Sequence, residues 1–154
     1  IADIDRPLSQ RGQVEAREIA ALIAARGYAP DHILCSSSQR TRETLTPILA
    51  VLKHDTTIEL SRDIYDASLE SLLATIRAQS DDGAQRSSVG HNPGLEQLAQ
   101  TLAASGDRAP LARLSIMFPP ASLAVISFDL TRWAGIGPAR GRLDAFEVPS
   151  AGHE

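Results

Sequence analysis

Apolar residues recur along the chain at spacings that alternate between helical and extended. From Ser9 to Gly27, Val14, Ile19, Leu22 and Ile23 share one face, with Ser9 as N-cap and Gly27 as terminator, and the pattern predicts a helix. After Pro30, the run Ile33-Leu34-Cys35, closed by Ser36-Ser37-Ser38, predicts a buried strand entering a loop. Leu45, Ile48, Leu49 and Leu52 predict a second helix over Gln39 to Leu52, which Pro47 is expected to bend or divide. Ile58 to Leu60 reads as a short strand. Ser68 is the expected cap of a helix from Leu69 to about Gln79, striped by Leu69, Leu72, Leu73 and Ile76, and Ser80 to Arg86 reads as a loop. Val89-Gly90 ends another strand, after which Asn92 as cap and Pro93 at the first turn open a helix continued by Leu95, Leu98, Ala99 and Leu102. Leu123 to Phe128 is the clearest strand, and Leu143 to Val148 supplies another across the loop-like segment Gly135 to Gly141. Such alternation predicts an α/β fold with a largely parallel sheet.

Composition narrows the class. A chain of 154 residues, 43% hydrophobic and 22% charged, suits one folded domain spanning 1–154. The formal charge of -4 gives no long-range attraction toward nucleic acid or anionic lipid, so neither nucleic acid nor membrane is an expected partner. Cys35 is the single cysteine, which excludes an intrachain disulfide and fits a reducing compartment. No apolar run is long enough to span a bilayer, and the cytoplasm is the expected location. The chain opens on Ile1, without a methionine or a signal-peptide pattern, and an N-terminal piece is expected to precede it.

Two segments carry candidate chemistry. Ser36 to Thr44 follows a predicted strand and enters a helix, where an open α/β sheet places ligand-binding groups. Arg40 there offers a planar, permanently charged fork for bidentate phosphate binding beside helix N–H groups. The alternative is that Arg40 and Arg42 are solvated helix residues, one of them paired with Glu43 or Glu15. Gly90-His91-Asn92-Pro93-Gly94 repeats the strand-to-helix arrangement, and His91 would be a donor to a phosphoryl oxygen beside a helix start. Ordinary turn chemistry explains the same five residues. Cys35, Phe128 and Trp133 read as core, and Tyr65 either lines a pocket or packs.

Taken together, Asp5-Arg6-Pro7-Leu8-Ser9-Gln10-Arg11-Gly12, then Cys35 to Thr44, Gly90 to Leu95, and Phe118-Pro119-Pro120-Ala121-Ser122-Leu123-Ala124 resemble the SixA-like branch of the histidine phosphatase superfamily, over nearly the whole chain. The resemblance implies a phosphoglycerate-mutase-like three-layer sandwich, a mostly parallel central sheet, and a pocket of two histidines and two arginines around a phosphoryl group. It also implies a transiently phosphorylated histidine and neither metal nor cofactor. Arg40 matches the second pocket arginine and His91 the charge-stabilising histidine. Arg6 lies in the segment bordering the pocket, and Asn92, beside His91, joins the candidate substrate-binding set.

Two departures matter. The family's Arg-His-Gly or Arg-His-Ala signature would precede Asp5 and does not occur in these residues, and His32, His54 and His153 are no replacement for it. An upstream segment carrying the motif is the expectation, and a degenerate domain lacking its first strand is the alternative. Arg86-Ser87-Ser88-Val89 stands where relatives carry apolar residues; buried serines in a central strand would need hydrogen-bond partners, and a short strand is one expectation here.

The implied function is a phosphohistidine phosphatase acting on a phosphorylated protein. Imidazole, with a conjugate-acid pKa near about 6.5, leaves without the acid an alkoxide requires. Asp63, Asp66 and Glu70 are the candidate acids, read mainly as loop and cap residues. A phosphomonoesterase of the same superfamily acting on a small phosphoester, and a catalytically inactive phosphate-binding module, are the alternatives.

Overall fold

The computed structural model describes residues 1–149, and these divide into two compact units, each built from discontinuous stretches of chain.

The first unit contains residues 1–65 and 83–90. Helix α1 (Gln10–Arg26) begins where the Ser9 hydroxyl accepts from Gly12 N at 3.0 Å and ends where Gly27 turns left-handed at φ 71°. Its buried face is Glu15, Ala16, Ile19, Ala20 and Ile23. Val14, expected on that face, is 49% exposed instead. The two alanines decide this orientation, because small side chains let α1 lie closely on α2 (Gln39–Val51). Pro47 sits inside α2 without dividing it, and Leu52 is its C-cap. Strands β1 (His32–Ser36), β2 (Thr57–Ser61) and β3 (Arg86–Val89) form a parallel sheet in the order β2-β1-β3, with His32 opposite both Thr57 and Arg86. Ile33, Cys35 and Leu45 form a core cluster against Leu52 and Val89. Burial pushes the Cys35 thiol up to about 11, as expected of a core cysteine. The β3 serines are half-buried on a strand of four residues, as expected of a short strand here.

The second unit contains residues 66–82 and 91–148. Helix α3 (Leu69–Arg77) is capped by Ser68 as expected, its hydroxyl accepting from Ser71 N at 3.2 Å. Helix α4 (Gly94–Leu102) leads into β4 (Ala103–Gly106), followed by α5 (Arg108–Ile116), β5 (Leu123–Phe128) and β6 (Gly141–Glu147). The sheet runs β4-β6-β5, with β4 parallel and β5 antiparallel to β6. Ala99, Leu114, Leu143 and Phe146 form its core, and Phe118 stacks on Phe146 at 5.7 Å between ring centroids. Strand β4 and helix α5 were not anticipated from the residue pattern. The fold is the expected α/β class with mostly parallel pairing, its strands divided between two three-stranded sheets. No helix among the described residues is long and apolar enough to cross a membrane.

Candidate active site

The turn from β1 to α2 is built from buried hydroxyls. Ser36 and Ser38 are fully buried and Thr41 nearly so. The Thr41 hydroxyl donates to the Ser36 carbonyl at 2.9 Å, which leaves the Ser38 hydroxyl as donor across its 2.6 Å contact with Thr41 Oγ1. Ser38 Oγ also accepts from Thr41 N and so caps α2, while Ser36 Oγ accepts from Ser38 N at 3.3 Å. These bonds satisfy polar groups that water does not reach. They also fix the first turn of α2, whose second residue is Arg40.

Arg40 points to the N-terminal segment. Its Nη1 donates to the main-chain carbonyl of Asp3 at 2.8 Å and its Nη2 to Asp3 Oδ2 at 3.2 Å, with the guanidinium carbon 5.9 Å from the centre of the Tyr65 ring. The Tyr65 hydroxyl donates to the same Oδ2, and Arg6 reaches Oδ1 at 2.9 Å. The Tyr65 hydrogen bond, with the charges of Arg40 and Arg6, holds the Asp3 carboxyl below its ordinary value, against a smaller opposing effect of burial. Nearby, Leu8 N donates to Glu43 Oε1 at 2.7 Å and ties this segment to α2. The pairing considered for Arg40 is therefore corrected. Its acidic partner is Asp3, while Glu15 pairs with Arg11 at 2.8 Å and Glu43 serves Leu8 and Gln39. Arg42 donates to the Ser38 carbonyl at 3.4 Å.

In the second unit, the half-buried His91 accepts at its main-chain carbonyl from Leu95 N at 3.0 Å, at the start of α4. Helix α4 begins at Gly94, with Pro93, joined to Asn92 by a cis bond, in the cap position and offering no side-chain bond. Asn92 is thus one residue earlier than expected for a cap. It performs the task nonetheless, since its Oδ1 accepts from Glu96 N at 3.2 Å and its Nδ2 donates to the Phe118 carbonyl at 2.7 Å. Asn92 therefore braces His91's turn against the segment that enters β5. Gly94 is required by space, because a Cβ there would lie 2.5 Å from the Ala67 carbonyl oxygen.

The structure joins Arg40 and Arg6 through Asp3 in the first unit, and holds His91 and Asn92 in neighbouring positions in the second. Asp3 was missed as a site component, while Tyr65, read as lining a pocket or packing, lies against both Asp3 and Arg40. The acid three residues before Arg6 was the available signal. Asp63, Asp66 and Glu70 are exposed, and Asp66 has a φ of 56°. His54 is exposed and His32 opens β1, while His153 lies outside the described residues. Among the described residues no cluster of three or more His, Cys, Asp or Glu is placed to hold a metal.

Residues 2–109 match the sequence profile of the histidine phosphatase superfamily (branch 1). An uncharacterized protein of Mycobacterium tuberculosis is 34% identical over 151 residues, covering 97% of this chain and 92% of its own. The structure of a candidate phosphohistidine phosphatase, SixA, from Agrobacterium tumefaciens superposes with a TM-score of 0.78 at 32% identity, over 97% of this chain and 87% of that one. Another candidate SixA, from Nakamurella multipartitia, shares the fold at a TM-score of 0.82 and 24% identity, over 97% and 88% of the two chains.

Proposed function

The chain belongs to the histidine phosphatase superfamily, branch 1, and on that premise we propose that it acts as a phosphohistidine phosphatase on phosphorylated protein. The observation that carries this reading is the anchored guanidinium of Arg40 in the first turn of α2, held by two bonds to Asp3. A permanently charged fork set beside helix N–H groups suits a phosphoryl group. Arg40 is the phosphate-binding arginine in this reading and His91 the match to the family's charge-stabilising histidine, with Arg6 and Asn92 as candidate substrate-binding residues.

The chemistry follows the family's two displacements. An enzyme histidine, from the Arg-His motif that precedes the Asp5 segment in the family, attacks phosphorus. A P–N bond forms as the substrate's P–N bond breaks. Water then attacks the phosphoenzyme, forming a P–O bond and releasing phosphate and the free imidazole. Because the first leaving group is an imidazole, no carboxylic acid has to protonate it. The exposure of Asp63, Asp66 and Glu70, and the place of Glu70 in the first turn of α3, agree with loop and cap roles for all three.

The test is phosphate release by the complete gene product from a histidine-phosphorylated protein. Release is expected to fall roughly a hundredfold or more in Arg40→Ala and in His91→Ala. Absence of release, or release undiminished by either substitution, sinks the proposal. Phosphate binding without turnover is the result expected of an inactive binding module.

A further inference from the structure

We infer that the Asp3 carboxylate is an internal counter-anion for Arg40, one that an incoming phosphoryl oxygen displaces and that thereby keeps the affinity for free phosphate low. The inference rests on the reading of Arg40 as the phosphate-binding arginine and adds a residue that sets how tightly it binds.

Three observations carry it, all within the first unit. The first is chemical likeness. A carboxylate on the Nη2 of a guanidinium makes the contact a phosphate oxygen would make, so the two anions compete for one donor. The second is how the carboxylate is held. Oδ1 accepts from Arg6 at 2.9 Å and Oδ2 from Tyr65, so releasing Arg40 leaves neither oxygen of Asp3 without a donor. The Arg40 contact, at 3.2 Å, is longer than the Arg6 contact and is the one most readily exchanged. The third is the pivot. Arg40 Nη1 keeps the main-chain carbonyl of Asp3 at 2.8 Å, a bond that does not depend on the carboxylate. Arg40 can therefore change its anionic partner without losing its anchor.

Asp3 also adds a negative charge next to the phosphate position. It opposes a phosphate dianion by repulsion as well as by competition, and a side chain 49% exposed does so only in part because water screens it. The consequence is a site that holds product phosphate loosely. Tyr65 and Arg6 keep the carboxylate ionised and in place through the exchange.

The test is calorimetric titration of the chain with inorganic orthophosphate at neutral pH. Asp3→Asn is expected to tighten orthophosphate binding about two- to fivefold, and Asp3→Ser to shift it in the same direction. Arg40→Ala is expected to weaken binding, and Asp3→Asn added to Arg40→Ala is expected to change little further, because the two residues act through one contact. Unchanged or weaker binding in both Asp3 variants, with their circular dichroism and thermal unfolding like the parent's, overturns the counter-anion role and makes Asp3 an anchor of Arg40 only. If Arg40→Ala leaves orthophosphate affinity unaltered, the reading of Arg40 as the phosphate-binding arginine fails first and the counter-anion role fails with it.

Discussion

Removing the Thr41 hydroxyl would strand buried oxygens at the foot of Arg40. Thr41 Oγ1 donates to the Ser36 carbonyl and receives Ser38 Oγ, in a turn where both serines are fully buried. Thr41→Val keeps the shape and deletes these bonds, together with the hydroxyl's contact to the Ser38 carbonyl at 3.0 Å. It is expected to cost about 1–3 kcal/mol, measurable by urea denaturation. Thr46→Val, whose hydroxyl bonds the Arg42 carbonyl on the exposed side of α2, is the control expected to cost much less. Equal losses would show that burial of the turn is not what matters. The position of Arg40 was legible from a strand running into a helix, because local spacing suffices to put a side chain at a helix start. Its partner was not, because Asp3 is 37 positions away in sequence and only the docking of the N-terminal segment on α2 brings it near.

Among the elements, α4 depends on one missing side chain. A Cβ on Gly94 would meet the Ala67 carbonyl oxygen at 2.5 Å and Leu72 Cδ1 at 3.2 Å, at the contact between α3 and α4. Gly94→Ala is expected to destabilise the protein by about 1–3 kcal/mol in thermal or chemical unfolding, although alanine is the better helix former. A gain in stability would show that the contact relaxes freely. Helices α1 and α3 were readable because Ser9, Gly27 and Ser68 punctuate their apolar stripes. Strand β4 was not, since Ala103-Ala104-Ser105-Gly106 has no β-branched or alternating apolar residues and is held as a strand by pairing with β6. Helix α5 hides for a related reason: it buries only Leu114 fully and carries Pro110 in its first turn. Val14 misled because large apolar residues suggested the packed face, whereas Ala16 and Ala20 set it.

At the scale of the molecule, the chain passes between its two units at 65–66, 82–83, 90–91 and 148–149, so neither is a continuous piece of sequence. The fragment 1–65 lacks β3, and β1 within it loses one of its two parallel neighbours. That fragment is expected to show no cooperative unfolding transition by circular dichroism, and a sharp transition would identify residues 1–65 as a folding unit. Strand β2 has a different consequence. Among the described residues it is an edge strand, with Ile58 and Leu60 41% and 51% exposed on either side of Glu59. A second copy laid antiparallel along this edge, centred on Glu59, would gain main-chain bonds and an apolar contact, yet would set one Glu59 against the other. Charge therefore guards this edge more than shape does. Because screening shortens to about 3 Å at 1 M salt, the Glu59 repulsion that opposes pairing along this edge weakens as ionic strength rises.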